Sequence, residues 1–337
     1  MLFIGVSFRH FIDSVCSIGV PAIMRSSACF KKFHELVVRY STAIGLMCAY
    51  ISCLDFIKLP SVVLITNLCT YTKFERNRLM KISGNTILIT GGSTGIGLAL
   101  AKAFLKQNNV VIICGRNAQK LDNARLQNPS LRTIVCDVSD ELSVSEMVKT
   151  ILKDYPHLNM VVNNAGMMHL HDVVEGSLGL ALQKQEIMTN VYGVISLCDH
   201  FLPHLKKQKQ SAIVNVTSGL AYMPFVAAPV YAATKAAIHS YSLSIRAALK
   251  STSVSVFELL PPMVDTDMTH SMDMPGMKKI QPDKLAQITL AKIARGQSEI
   301  RPGAAAMMIK MHRWFPWFIN KMMSSMTPKI LADIPKY

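Results

Sequence analysis

Short apolar runs alternate with segments of helical periodicity from residue 80 onward, and this alternation restricts the fold more than any other feature of the sequence. The apolar runs are continuous instead of alternating between apolar and polar residues, as in strands that are buried on both faces. Strands of this kind that are separated by helices form a parallel sheet with helices on both sides. The sequence therefore predicts an α/β fold in three layers, α/β/α, with a doubly wound parallel sheet.

The predicted elements run from residue 86 to residue 295. The strands are 86–90, 110–114, 131–136, 160–162, 212–216 and 254–260, and the helices are 98–107, 143–153, 180–206, 230–250 and 282–295. Doubly wound sheets bind ligands in the crevice outside the carboxyl ends of their strands. We therefore expect the residues that carry chemistry just after the strands.

The composition excludes several classes of protein. Half of the 337 residues are hydrophobic and 17% are charged, which is unlike a disordered chain. The 36 Lys and Arg residues outnumber the 21 Asp and Glu residues, but no basic run is interleaved with aromatic residues, so we expect no nucleic-acid partner. None of the eight Cys residues forms a C-x-x-C pair. This argues against a structural zinc site and is typical of reduced thiols in a cytoplasmic protein.

A glycine-rich segment lies between the first predicted strand and the first predicted helix. It reads Thr90-Gly91-Gly92-Ser93-Thr94-Gly95-Ile96-Gly97. Glycines let the backbone approach a pyrophosphate closely, and the unpaired N–H groups and the dipole of a helix N-terminus favour an anion. At the head of an alternating domain, this pattern predicts a Rossmann-type single domain that binds a dinucleotide. The alternative is a glycine-rich turn without a ligand.

The end of the second predicted strand, Cys114-Gly115-Arg116, bears on the choice of cofactor. An Asp or Glu about 20 residues after the glycines binds the free ribose 2′-hydroxyl of NAD(H). Here that neighbourhood holds Arg116, whose guanidinium suits a 2′-phosphate. The sequence therefore predicts NADP(H) in preference to NAD(H).

Tyr231 and Lys235 stand four residues apart and so share one face of a predicted helix. A nearby cation favours the phenolate, so we expect Lys235 to lower the pKa of Tyr231 and let it exchange a proton at physiological pH. Ser218, just past the strand that ends at Val216, is placed to hydrogen-bond a substrate oxygen. A Y-x-x-x-K pattern alone is common on helices, and it gains meaning here from the serine and the glycine segment.

Together these residues resemble the short-chain dehydrogenase/reductase family, and most closely its bacterial DltE-type oxidoreductases, over residues 86–266. The resemblance implies an enzyme that transfers a hydride between a nicotinamide and a carbonyl or secondary alcohol. It implies that Tyr231 is the general acid or base, that Lys235 lowers its pKa and binds the nicotinamide ribose, and that Ser218 orients the reacting oxygen. Asn190 matches the asparagine that supports a proton-relay water, which completes the implied catalytic set.

The resemblance also implies a set of cofactor contacts. These residues are Thr90, Gly91, Ser93, Thr94, Gly95, Ile96, Gly97, Arg116, Asp137, Val138, Asn164, Ala165, Gly166, Tyr231, Lys235, Pro261, Val264 and Thr266. Asp137 and Val138 match the pair that contacts the adenine. Pro261-Pro262 departs from the Pro-Gly that is common in the family, and the second proline stiffens the turn and removes a backbone donor.

Four methionines follow the part of the chain that carries the resemblance. Met268, Met272, Met274 and Met277 surround Pro275-Gly276, where the family places its substrate-covering loop. Flexible thioethers suit an adaptable apolar lid, which favours a hydrophobic or bulky small-molecule carbonyl or alcohol as the substrate. The alternative is that these side chains pack onto the sheet.

The tail, residues 304–337, is apolar and basic and contains Trp314-Phe315-Pro316-Trp317-Phe318. We expect it to close the substrate pocket or to pack on another subunit. Contact with a membrane interface is the alternative, because Trp, Lys and Arg beside apolar surface suit that environment.

Residues 1–79 form an extension before the predicted domain at 80–303. Their most hydrophobic stretch, 41–71, is interrupted by Asp55 and Lys58 and divided by Pro60, so neither piece reaches the ~20 apolar residues of a membrane span. Three interpretations stay open: a mispredicted start with Met80 as the first residue, a membrane anchor, and an organelle transit peptide. We expect a cytoplasmic protein, with membrane association through the extension or the tail as the alternative.

Two histidine pairs, His169/His171 and His200/His204, have no third ligand at a recognisable spacing, so we expect no metal. Members of the family often form dimers or tetramers, and the resemblance therefore implies a homo-oligomer. Two other classes of function stay open. One is a non-catalytic NADP(H)-binding sensor or scaffold, and the other is a membrane-tethered interaction protein.

Overall fold

Seven parallel strands form one sheet in the computed structural model, which describes residues 80–173, 179–270, 272 and 278–332. The strands are β1 Thr86–Thr90, β2 Val110–Gly115, β3 Arg132–Val135, β4 Leu158–Asn163, β5 Ser211–Val216, β6 Val254–Leu259 and β7 Glu299–Ile300. Their order in the sheet is β3-β2-β1-β4-β5-β6-β7, and every neighbouring pair is parallel. The chain builds outward from β1 to β3 and then crosses to β4, so the ligand crevice of a doubly wound sheet opens between β1 and β4.

Nine helices in the described residues connect and cover the strands. They are α1 Gly95–Leu105, α2 Ala118–Gln127, α3 Glu141–Asp154, α4 Leu180–Ile187, α5 Gly193–Leu205, α6 Pro229–Ala248, α7 Pro282–Ala294, α8 Ala304–Trp314 and α9 Pro316–Ala332. A π-helical segment, Met188–Tyr192, joins α4 to α5. The predicted fold class, a doubly wound parallel sheet between helical layers, is confirmed.

The structure departs from the predicted elements in four places. The first helix begins at Gly95 instead of residue 98, because the glycine segment itself supplies its first turn. The predicted helix 180–206 is interrupted by the π-helical segment. Two elements, α2 and β7, were not predicted. Helix α2 buries only Leu121 and Ala124, too few for a recognisable apolar stripe, and β7 is only two residues long. The tail prediction named no helix boundaries, and Pro316 there separates two helices, because a proline fits the first turn of a new helix.

Apolar side chains cover both faces of the sheet, which explains why the strands lack an alternating pattern. Ile87 and Ile89 of β1 point to one face and pack in a cluster with Phe104 of α1. Leu88, between them, points to the other face and packs in a cluster with Phe201 of α5. The strands are therefore fixed on both sides, and their carboxyl ends form a rigid edge.

A third apolar cluster, which we call the methionine cluster, involves α6, the segment after β5 and the tail helices. Its buried members are Met223, Phe225, Ala227, Ala228, Ala232, Met272, Ile319 and Met323, and partly buried Tyr231 packs against them. Of the predicted lid, Met272 joins this cluster, Met268 is exposed, and Met274 and Met277 lie outside the described residues, as does the extension 1–79. Within the described part of the chain, no helix has both the length and the apolar character that crossing a membrane requires.

Candidate active site

A cavity of about 410 Å³ lies along the carboxyl ends of the strands. Most of the predicted site residues line it: Gly91, Ser93, Thr94, Gly95, Ile96, Arg116, Asp137, Val138, Asn164, Ala165, Gly166, Ser218, Tyr231, Lys235, Pro261, Val264 and Thr266. Residues that are up to 175 positions apart in the sequence thus meet in one crevice, at the edge that the strand-then-helix alternation indicates.

The glycine segment is shaped by close backbone approaches. Gly91 has a positive φ of 62°, and a Cβ there would lie 2.9 Å from the Cα of Ala165. Gly95 also has a positive φ, of 54°, and it begins α1. Thr94 precedes α1 without making a side-chain capping hydrogen bond, and the first turn of α1 holds no acidic residue. Thr94, Gly95 and Ile96 line the cavity, so the N-terminus of α1, where helices favour anions, forms part of its wall.

Two residues of the predicted cofactor set, Thr90 and Gly97, do not line the cavity. The Oγ1 of buried Thr90 accepts hydrogen bonds from the backbone N–H groups of Asn164 and Ala165, both at 3.0 Å. A Cβ on Gly97 would lie 2.3 Å from the carbonyl oxygen of Gly91 and 2.5 Å from Nδ2 of Asn164. Both residues thus hold the glycine segment against the end of β4 and stand behind the surface that a ligand would touch.

At the adenosine end of the predicted dinucleotide site, the guanidinium of Arg116 lies 3.8 Å from the carboxylate of Asp137. Asp137 also accepts hydrogen bonds from the backbone N–H and the hydroxyl of Ser139, at 2.9 and 2.6 Å. Asn117 and Lys120 line the same part of the cavity, and the sequence reading missed both. Lys120 lies in the first turn of α2, just after Arg116 in the sequence, and that proximity was the available signal for a second cation.

Tyr231 and Lys235 lie one turn apart on α6, as the spacing predicts. The Nζ of buried Lys235 is 5.5 Å from the centre of the Tyr231 ring and donates a hydrogen bond of 3.0 Å to the carbonyl oxygen of Val216. Ser218 hydrogen-bonds Tyr231 from the segment just after β5, and its Oγ accepts the backbone N–H of Leu220 at 3.1 Å. A tyrosine, a lysine and a serine thus converge on the cavity from two elements.

The structure contradicts the expected direction of the Tyr231 pKa. Burial raises the pKa of Tyr231 to about 12, and the hydrogen bond from Ser218 offsets only part of that rise. Burial also lowers the pKa of Lys235 to about 8. The expectation was wrong because it considered only the nearby cation, whereas removal from water disfavours the charged form of both groups.

Asn190 lies in the π-helical segment and is buried beside the cavity without lining it. Its Nδ2 donates to the carbonyl oxygen of Met167 at 2.8 Å and to Oγ1 of Thr234 at 3.1 Å. Its Oδ1 accepts the backbone N–H of Met167 at 2.9 Å. Asn190 therefore ties the loop after β4 to the helix that carries Tyr231 and Lys235.

A buried carboxylate that the sequence reading missed lies close to the tyrosine. Glu186 of α4 is fully buried, and its Oε2 is 3.1 Å from Nδ1 of His169. Burial raises the pKa of Glu186, and the contact with His169 lowers it in part. The charge of Glu186 raises the pKa values of both Tyr231 and Lys235. A lone glutamate in a polar helix gives no local signal for this contact, because its partner is 17 residues upstream.

A second buried carboxylate supports the segment that carries Ser218. Glu258 of β6 accepts a hydrogen bond of 2.7 Å from Oγ1 of Thr217, the residue that precedes Ser218. The Nδ1 of His239 lies 2.9 and 3.0 Å from the two oxygens of Glu258. Within the described residues, no three His, Cys, Asp or Glu side chains lie close enough together to hold a metal ion.

The Pro261-Pro262 turn keeps its place in the site despite the extra proline. The carbonyl oxygen of Pro261 accepts the backbone N–H of Gly219 at 3.1 Å. Val264, after the turn, forms a parallel bridge with Ile280. Although Pro262 lacks a backbone N–H, the turn stays attached to the serine segment on one side and to the chain before α7 on the other.

Comparison with known proteins identifies the family to which this chain belongs. A family model described as short chain dehydrogenase matches residues 85–275. The chain belongs to the short-chain dehydrogenase family. This short-chain dehydrogenase is 46% identical over 224 residues to the uncharacterized oxidoreductase DltE of Bacillus subtilis (strain 168), which covers 66% of this chain and 89% of DltE. It is 31% identical over 209 residues to an uncharacterized oxidoreductase of Staphylococcus epidermidis, which covers 62% of this chain and 90% of that protein. The predicted likeness to DltE-type oxidoreductases is confirmed.

Solved structures of the same fold carry nicotinamide cofactors. A short-chain dehydrogenase from Burkholderia cenocepacia in complex with NADP superposes with a TM-score of 0.64 at 24% identity, over 72% of this chain and 99% of that one. A short-chain dehydrogenase/reductase from Burkholderia phymatum in complex with NAD superposes with a TM-score of 0.62 at 19% identity, over 71% and 96%. These similarities show that the chain has the Rossmann-type fold of those structures.

Proposed function

We propose that this oxidoreductase transfers a hydride between the nicotinamide of NADP(H) and the carbon of a carbonyl or secondary alcohol, with Tyr231 exchanging the proton. The observation that carries the proposal is the shared cavity. Tyr231, Lys235 and Ser218 line the same crevice as the glycine segment and Arg116. A protein that only binds the nucleotide needs the glycine segment and Arg116. It does not need Tyr231, Lys235 and Ser218 in the same cavity.

The residues present fit a nicotinamide dinucleotide. A side chain at Gly91 would meet the backbone of Ala165, so the glycine lets this segment of the cavity wall lie close against the end of β4, in the position that a glycine-rich dinucleotide site occupies. The uncapped N-terminus of α1 offers N–H donors for a pyrophosphate. When bound, the cofactor supplies the hydride donor or acceptor, a chemistry that no protein side chain provides.

The preference for NADP(H) rests on two cations at the adenosine end. Arg116 and Lys120 line the cavity, and Asp137, which lies 3.8 Å from the guanidinium of Arg116, accepts two hydrogen bonds from Ser139. Arg116 and Lys120 can together receive a 2′-phosphate. This arrangement favours the phosphorylated cofactor.

The charge states of the tyrosine and lysine suit proton donation. With a pKa of about 12, Tyr231 is a neutral phenol near neutral pH and can donate its proton to the oxygen of a carbonyl that is being reduced. Lys235, with a pKa of about 8, is mostly an ammonium under the same conditions and favours the phenolate that remains. Ser218, hydrogen-bonded to Tyr231, can hold the same substrate oxygen, and Asn190 keeps α6 in position through Thr234.

The surroundings of Tyr231 favour an apolar small-molecule substrate. The tyrosine packs against the methionine cluster, together with Met168, Met263 and Leu220. Thioether side chains adapt to the shape of an apolar ligand at low cost.

A homo-oligomer remains a prediction from the family resemblance.

The substitution Tyr231→Phe tests the proposal, with Tyr241→Phe on the same helix as its matched control. We expect Tyr231→Phe to lower kcat for a carbonyl substrate by roughly 10²–10⁴-fold, because the proton donor is lost while the ring remains. NADPH affinity should be almost unchanged. The assay follows NADPH consumption by the full chain with a panel of aldehydes and ketones. Unchanged turnover by Tyr231→Phe would show that another group moves the proton.

A further inference from the structure

The turn between α8 and α9 exposes four aromatic side chains, which we call the aromatic turn: Trp314, Phe315, Trp317 and Phe318. Their exposed fractions are 76, 56, 68 and 44%. The rings of Trp317 and Phe318 contact each other edge to face, with their centres 5.9 Å apart. Scattered exposed apolar residues are ordinary, but four aromatic residues within five positions form a contiguous patch of the kind that marks an interaction site.

Packing among the described residues leaves these four side chains exposed. The opposite side of the two helices already anchors them, through Ile309 of α8 and through Ile319 and Met323 of α9, all of which are buried. Ile319 and Met323 belong to the methionine cluster. The helix pair is thus held by its inner face, and the aromatic turn projects from its outer end.

The charged residues of the segment that carries the aromatic turn have a single sign. Lys310 and Arg313 of α8 and Lys321 of α9 are exposed. Between residues 304 and 332 the sequence contains no Asp or Glu. Basic residues that flank Trp and Phe are the combination that anionic lipid headgroups and the acyl boundary beneath them attract.

We propose that the aromatic turn binds the surface of an anionic lipid bilayer. The contact is interfacial, because no helix of the described chain has the length and apolar character to span a membrane. A second copy of the chain would place the same basic residues opposite each other, which disfavours a symmetric contact through this patch. The inference does not depend on the proposed reaction.

Tryptophan fluorescence can report on the aromatic turn specifically. The chain contains two Trp residues, and both belong to the aromatic turn. We would titrate the full chain with vesicles of phosphatidylcholine alone and of phosphatidylcholine mixed with phosphatidylglycerol. Tryptophan emission should shift to shorter wavelength with the anionic vesicles, brominated lipid should quench it, and added salt should reverse the shift.

Two variants test the two halves of the proposal. Phe315→Ser with Phe318→Ser keeps both tryptophans and should weaken partitioning roughly tenfold or more, since it removes apolar area that enters the bilayer. Lys310→Gln with Arg313→Gln should weaken partitioning onto anionic vesicles by about fivefold for each charge, and so by about 25-fold in total. Leu126→Ser with Leu142→Ser is the control, because these two leucines are also exposed but belong to α2 and α3.

Three results would overturn the proposal. One is the absence of vesicle binding by the full chain. Another is sedimentation with vesicles without a change in tryptophan emission, which would place the contact elsewhere in the chain. The third is a shift that depends on protein concentration without vesicles, which would assign the aromatic turn to contact between copies.

Discussion

Burial acts on Tyr231 and Lys235 in opposite directions, and both changes favour the neutral group. It raises the pKa of the phenol to about 12 and lowers that of the ammonium to about 8. The neighbouring carboxylate of Glu186 raises both pKa values, and so keeps Lys235 charged while it opposes ionisation of Tyr231. At the scale of single residues, the site is therefore set for a neutral proton donor beside a cation.

The pKa of Lys235 makes stability depend on pH. In an unfolded chain a lysine titrates near ~10.4, and between about 8 and that value only the unfolded chain holds the proton. The free energy of unfolding therefore rises with pH through this window, and the full penalty of burying the ammonium remains below about 8. Lys235→Met should be more stable than the wild type near neutral pH by an amount on the order of 3 kcal/mol, and the difference should shrink towards pH ~10.

Urea unfolding at several pH values measures this difference. Lys149→Met, which changes an exposed lysine on α3, is the control and should show no such trend. A gap between Lys235→Met and the wild type that stays constant from neutral to alkaline pH would contradict the assigned cause.

Arg116 gives a prediction about the cofactor. Arg116→Ala should weaken NADPH binding by about 10- to 100-fold, the range expected when a charge-assisted hydrogen bond to a phosphate is lost. NADH binding should change little, because that cofactor lacks the 2′-phosphate. The matched control is Arg125→Ala, an exposed arginine of α2 that pairs with Asp122. Equal losses for both cofactors would refute the role given to Arg116.

At the scale of elements, the carboxyl ends of the strands could be predicted and several supporting contacts could not. Runs such as Thr86–Thr90 are apolar on both faces, and the residues after them stand out from the pattern. Glu186 and Glu258 look like ordinary charged residues in their own elements. Both are buried, and they contact residues that are distant in sequence. Glu186 contacts His169, and Glu258 contacts Thr217 and His239. Burial is also what reversed the expected pKa of Tyr231.

The junction of β1 with α1 gives a prediction of its own. Gly97→Ala would place a Cβ 2.3 Å from the carbonyl oxygen of Gly91, so the backbone of the glycine segment must shift. We expect a loss of roughly 1–3 kcal/mol of stability together with weaker dinucleotide binding. Gly219→Ala is the control, because its Cβ would meet Ala305 and Pro261 at an ordinary 3.7 Å. Thermal unfolding and nucleotide titration measure both effects, and an unaffected Gly97→Ala would contradict the close packing.

At the scale of the whole molecule, one rigid sheet brings the two ends of the site together. The order β3-β2-β1-β4-β5-β6-β7 sets Arg116 and Asp137 beside β2 and β3 and Ser218 and Tyr231 towards β5 and β6, all of them lining one cavity. The alternating pattern was enough to predict this architecture. It was not enough to locate the helix pair α8 and α9, because their apolar residues face the methionine cluster on one side and the solvent on the other.

Calorimetric titration of the full chain with NADPH and, separately, with NADH tests whether the cavity is an NADP(H) site. We expect one binding site for each chain and clearly tighter binding of NADPH. Tighter binding of NADH would keep the fold and refute the assignment of Arg116 and Lys120. If neither nucleotide bound to the folded protein, the proposed function would be contradicted at its first step.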